Sequence, residues 1–236
     1  MKKIIIIGDS VSLRLRPTRQ HAEELTYTEI LRQKFPGSQV INLGMGAFTM
    51  GHSSSYIDTL VRQFADYYII NYGIVDASTR SVPQWVFRFM NNDNPKSFVF
   101  TKGLRFVIQW MEKKFRRNMV FIRGCRSWTS VKSFRYIYQK HIQLLQKETS
   151  GTIICIGINK PSERIEHQLP GTTKQVIRFN SVIANLCKQM NCVFIDTYKI
   201  INIKNVPDGI HFDSEGHIKL AQNILEAITT HENTYS

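Results

Sequence analysis

The chain has 236 residues, 42% hydrophobic and 21% charged, the balance of a soluble globular protein long enough to bury one large core. No stretch approaches the roughly 20 apolar residues needed to cross a bilayer, and the isoleucine run after Met1-Lys2-Lys3 is too short for the apolar part of a signal peptide, so neither a spanning nor a conventionally exported protein is expected. The formal net charge of +13 is the unusual number, and it implies an anionic partner: nucleic acid, a membrane surface, or an acidic glycan or lipid substrate.

The first predicted element is a buried strand, Lys3-Ile4-Ile5-Ile6-Ile7, running straight into Gly8-Asp9-Ser10. Four consecutive β-branched residues suit a central parallel strand covered on both faces. Gly8 permits a sharp exit that leaves Ser10 at the carboxyl edge of the sheet, where open α/β folds place their active sites. Taken alone, Asp9 and Ser10 read more simply as caps of a turn or helix.

A polar loop with several arginines, Val11 to Arg19, leads to a helix from about His21 to Phe35, stopped by Pro36-Gly37. Gln39 to Leu43 reads as the second strand, followed by Gly44-Met45-Gly46-Ala47. A second helix is expected over Ser53 to Phe64, with Tyr56, Leu60, Val61 and Phe64 facing inward. Asp66 to Tyr72 is the third strand and ends in Gly73-Ile74-Val75-Asp76.

Trp85 to Arg117 fits no standard βα unit and reads as a helical insertion, with Leu104, Val107, Ile108, Met111 and Phe115 on one face and cations around it. Trp85 to Leu145 carries 13 Lys and Arg against Asp93 and Glu112, a net +11, so nearly all the excess charge sits in this quarter. Such a surface is either a solvated basic face or a seat for an anionic glycan or membrane headgroups. No recognised nucleic-acid motif accompanies it, which disfavours nucleic acid as the partner.

Further helices are expected over Val131 to Lys147, Lys174 to Met190 and Ser214 to Thr229, and strands over Gly151 to Gly157 and Cys192 to Asp196. Asn159 to Thr173 reads as a loop at the active-site edge, His217 as structural or exposed, and His231 to Ser236 as a frayed end. The chain shows no linker or repeat, so residues 1–236 form one domain. Alternating strands and helices specify a doubly wound, mostly parallel sheet, without fixing its order. Cys125, Cys155, Cys187 and Cys192 lack Cys-x-x-Cys spacing and nearby histidines complete no zinc pattern, so reduced thiols, no metal and a cytoplasmic location, either free or peripheral to a membrane, are expected.

Pro207-Asp208-Gly209-Ile210-His211-Phe212-Asp213 supplies an acid and a base three residues apart. A serine hydroxyl is a weak nucleophile until a base takes its proton, and the base needs an acid to fix its tautomer. Gly8-Asp9-Ser10 at one end of the chain with Asp208-Gly209-Ile210-His211 at the other resembles the SGNH (GDSL-type) hydrolases over nearly the whole length.

That resemblance implies a three-layer α/β/α fold with strand order 2-1-3-4-5, and a catalytic triad of Ser10, His211 and Asp208 needing no cofactor. It also implies an oxyanion hole from the backbone N–H groups of Ser10 and of Gly46 or Ala47. The family's Gly-x-Asn-Asp pattern provides a side-chain donor, but Val75 occupies the Asn position here. Asn71 or Arg80 is the candidate substitute, alongside a hole made by backbone donors alone. The implied activity is a serine esterase cleaving acyl esters, acetyl among them, on a small molecule or on a glycan such as a surface-polysaccharide intermediate. An O-acyltransferase using the same site, and a catalytically silent glycan-binding module, are the alternatives.

Overall fold

A computed structural model describes residues 1–13, 25–91 and 99–235. Five strands, β1 (Lys3–Gly8), β2 (Gln39–Asn42), β3 (Tyr67–Asn71), β4 (Thr152–Ile156) and β5 (Val193–Ile195), form one sheet in the order β2-β1-β3-β4-β5. Every pairing is parallel; Ile4 to Ile7 of β1 face Tyr67 to Ile70 of β3 in register. The fold is therefore α/β, with the order that the family resemblance implied.

Ile4 to Ile7 are fully buried, each contributing roughly 1.5–3 kcal/mol of apolar burial. Helix Tyr27–Lys34 packs against the final helix Ser214–Tyr235, and Val131–Glu148 packs against Thr172–Gln189, so helical layers flank the sheet. Because the chain goes from β1 out to β2 and returns to β3 on the other side, strand order reverses between β1 and β3. That reversal opens the crevice at their carboxyl ends.

Several boundaries differ from the sequence expectation. The first helix begins at Tyr27, because Thr26 and Glu29 close a capping box there; expected residues His21 to Glu24 lie outside those described, as does the loop from Arg14. The expected Ser53 to Phe64 helix is two short ones, Met50–Ser53 and Ile57–Val61. Phe64 lies beyond them in a left-handed conformation (φ 46°) and is exposed rather than inward. The expected loop after β4 contains a helix, Glu163–Gln168, capped by the Ser162 hydroxyl. The end expected to fray at His231 remains helical to Tyr235. Glu232 holds it, accepting from the Tyr67 hydroxyl at 2.8 Å and pairing with Lys2 at 2.6 Å. In the basic quarter, residues 92–98 lie outside those described, and the rest holds helices Gln84–Met90, Val99–Ile122 and most of Val131–Glu148, the second kinked where Phe115 leaves helical geometry (φ −118°, ψ 20°).

Candidate active site

The turn after β1 is set by two residues. A Cβ on Gly8 would lie 2.6 Å from the Asn71 carbonyl oxygen, so only glycine lets β1 approach the end of β3 this closely. Asp9 then caps the 3₁₀ turn Ser10–Ser12: Oδ1 accepts the Val11 N–H at 3.0 Å, and Oδ2 accepts the Gly73 N–H at 3.3 Å. Asp9 therefore both caps and ties the nucleophile turn to the loop after β3. Gly73 lies in the left-handed region (φ 143°), and a Cβ there would meet Ile158, so its identity is equally constrained. Burial pushes the Asp9 carboxyl up to about 6.

Ser10 and His211 lie 201 residues apart in sequence, yet His211 Nε2 is 2.8 Å from Ser10 Oγ. On its other side, His211 Nδ1 is 2.7 Å from Asp208 Oδ2. Asp208 Oδ1 accepts the backbone N–H groups of Ile210 and His211 at 2.9 and 2.7 Å, locking the turn that presents the imidazole. This network assigns the proton to Nδ1 and leaves Nε2 as acceptor for the serine hydroxyl. Burial alone would raise the Asp208 carboxyl. The hydrogen bonds from the His211 ring and from the two N–H groups outweigh it, and hold the acid well below the usual carboxylate range.

The loop is anchored from β4. Asn159 Nδ2 donates to the Ile210 carbonyl at 3.2 Å, Ser162 N–H donates to the Gly209 carbonyl at 3.3 Å, and Arg164 donates to the Asp208 carbonyl. Asn180 brackets Ile158 with hydrogen bonds to both its N–H and its carbonyl. Sequence reading gave none of these anchoring residues a role, since a lone Asn or Ser carries no motif.

In the loop after β2, the Gly44 N–H is taken by Asn42 Oδ1 and the Met45 N–H by the Gly8 carbonyl. Among the described residues no acceptor takes the N–H of Ser10, Gly46 or Ala47. Ala47 holds a left-handed conformation (φ 59°), which costs a non-glycine residue roughly 1–2 kcal/mol.

Asn71 and Arg80, the candidate side-chain donors, each donate to other groups, although Arg80 Nε has no partner among the described residues. Asn71 Nδ2 donates to Ser12 Oγ and Tyr27 Oη, both at 3.2 Å. Arg80 donates to the Val75 carbonyl at 3.1 Å and stacks its guanidinium on the Trp128 ring, 4.2 Å from the centroid. It lines a cavity of about 380 Å³ with Glu112 and Arg116. Val75 is buried in the apolar core.

Asp76, next in the chain, is fully buried; its Oδ2 accepts the Met50 N–H at 2.8 Å and its Oδ1 the Thr129 hydroxyl at 2.6 Å. Burial raises it to about 7. His217 is buried rather than exposed, stacked on Tyr27 at 5.9 Å, with burial lowering it to about 4. The four cysteines are free thiols, and the described residues contain no His/Cys/Asp/Glu cluster able to hold a metal ion. No described helix is long and apolar enough to cross a membrane.

The profile of the GDSL-like lipase/acylhydrolase family matches residues 6–218. No curated protein matches the chain. Among solved structures, a lipase/acylhydrolase from Enterococcus faecalis superposes with a TM-score of 0.63 at 17% identity, covering 98% of this chain and 97% of its own. The acetylxylan esterase Axe2 from Geobacillus stearothermophilus superposes with a TM-score of 0.58 at 15% identity, over 95% of this chain and 93% of its own. The acetyl xylan esterase AlAXEase gives 0.59 at 16%, over 96% and 99%.

Proposed function

Because this chain belongs to the GDSL-like lipase/acylhydrolase (SGNH hydrolase) family and is an ester hydrolase, we propose that it is a serine esterase removing short acyl groups, acetyl foremost, from hydroxyls of an anionic glycan. The observation that carries the reading is His211 standing between Ser10 Oγ and Asp208 at 2.8 and 2.7 Å.

Ser10 Oγ attacks the ester carbonyl as its proton passes to His211 Nε2, and Asp208 stabilises the imidazolium. The tetrahedral oxyanion is held by the N–H groups of Ser10 and of Gly46 or Ala47. On collapse the sugar oxygen leaves with the proton from His211, and Ser10 keeps the acyl group. Water then attacks this acyl-enzyme, giving its proton to His211. The second collapse releases the carboxylic acid and returns the proton to Ser10.

Two neighbouring folds bear acetyl xylan esterase names, which supports an acetyl group on a sugar. The net +11 over Trp85 to Leu145 supports an acidic one. The four free thiols fit work in a reducing compartment such as the cytoplasm.

The test is turnover of p-nitrophenyl acetate, butyrate and octanoate, followed by acetate release from acetylated neutral and uronic-acid-containing oligosaccharides. Fastest turnover of acetyl, with acidic oligosaccharides preferred, is expected. Preference for long chains would overturn the acetyl assignment. Transfer of acetyl to an added glycan in place of water would make the protein an acyltransferase.

A further inference from the structure

The Val99–Ile122 helix turns Glu112 and Val120 inward. Glu112 accepts the Ser81 hydroxyl at 2.9 Å and pairs with Arg116 through two hydrogen bonds of 2.6 and 2.7 Å; Gln109 donates to the Met90 carbonyl. The side turned to solvent carries large apolar residues between its cations. Phe106 is 68% exposed, Trp110 50%, Phe121 53% and Ile122 84%, with Val107 and Met111 also exposed. A surface helix ordinarily buries its apolar stripe, and an exposed run of this kind marks an interaction surface.

Its charge selects the partner. The helix carries six Lys and Arg and one acid, and that acid, Glu112, is paired on the inner side. Lys102, Lys113, Lys114 and Arg117 are therefore exposed with no acid among them. Lys114 Nζ lies 5.0 Å from the Trp110 ring centroid and the Arg117 guanidinium 5.7 Å from that of Phe121. These cations thus extend over aromatic rings, the arrangement in which rings enter an acyl boundary while charges reach headgroups. A second copy meeting this face symmetrically would oppose four cations to four cations, and so fits poorly.

We propose that the outer face of this helix seats the protein peripherally on an anionic lipid surface, rings in the interface and cations on the headgroups.

Flotation of the full chain with phosphatidylcholine vesicles, with and without one-third phosphatidylglycerol, tests it. Binding is expected on the phosphatidylglycerol vesicles, falling as salt rises. Lys113→Gln, Lys114→Gln and Arg117→Gln together should weaken it at least about tenfold, since several basic contacts to the anionic surface are lost. Phe106→Ser, Trp110→Ser and Phe121→Ser together should abolish it. Both triple variants should keep wild-type circular dichroism and p-nitrophenyl acetate turnover. In wild type, brominated lipid should quench tryptophan fluorescence, and Trp110→Phe should remove that quenching. The proposal is overturned if wild type fails to bind, if neither triple changes binding, or if quenching persists in Trp110→Phe. A solution dimer dissolved by the apolar triple, with no vesicle binding, would assign the face to a second copy instead.

Discussion

Asp76 Oδ2 accepts the Met50 backbone N–H at 2.8 Å, so a buried carboxylate beyond β3 fixes the far end of the loop that carries Gly46 and Ala47. The near end is held by the Met45 N–H on the Gly8 carbonyl, immediately before the nucleophile turn. Between these anchors the N–H groups of Gly46 and Ala47 have no acceptor among the described residues. Stabilisation of an oxyanion requires donors that no other acceptor takes, and the proposed role of Gly46 and Ala47 rests on this.

Ser10→Ala should abolish turnover of p-nitrophenyl acetate, and His211→Ala should be nearly as damaging. Asp208→Ala should retain about two orders of magnitude more than either, because the acid orients and stabilises the base without accepting its proton. Single-turnover kinetics on the three folded variants checks the ranking. Wild-type rates in Ser10→Ala would remove the serine from the mechanism.

Gly46 has open space where a side chain would go, so Gly46→Ala should leave both fold and kcat unchanged. Gly46→Pro removes the N–H and should lower kcat by about 10²–10³ with little change in KM, as loss of an oxyanion donor does. A kcat unaffected by proline would place the donor at Ala47.

Asn71 donates to Ser12 and Tyr27, and Arg80 to the Val75 carbonyl, so neither candidate is held ready in the place of the family's Asn. Val75→Asn should therefore raise kcat on small esters by up to about 10². It should also lower stability by roughly 1–3 kcal/mol, because an amide enters apolar packing. Steady-state kinetics and urea unfolding on the same preparation read both effects. An unchanged kcat would show that backbone donors complete the hole.

Burial raises Asp76 to about 7, against about 4 for an unfolded aspartate. Between those values the folded protein holds a proton that the unfolded chain has released, so this group makes stability fall as pH rises. Asp76→Asn can still accept from Met50 and can donate to the Thr129 oxygen, and it lacks the titration. The unfolding free energy of the variant relative to wild type should therefore increase from about pH 5 to about pH 8. Urea titrations at the two pH values check this; a constant difference would mean that Asp76 is ionised throughout.

The sequence by itself determined the strands and nominated the chemistry. Ile4 to Ile7 have one economical use, a strand covered on both faces, and Gly8-Asp9-Ser10 with Asp208 and His211 are short motifs whose residue types imply a nucleophile, a base and an acid. Strand order came from the resemblance, because parallel neighbours are joined through helices and local pattern does not say which strand lies beside which. Only the tertiary structure brought His211 within 2.8 Å of Ser10, and only it showed that Asn71 and Arg80 are bonded elsewhere. It alone gave Asp76 and Asn159 their anchoring partners, since such hydrogen bonds join residues distant in the chain. The Val99–Ile122 helix shows the same division. Its periodicity marks which side is apolar, but whether that side meets the core or the solvent depends on what the fold sets against it. Here the fold sets Ser81 against Glu112 and leaves Leu104, Val107, Met111 and Phe115 of that side exposed.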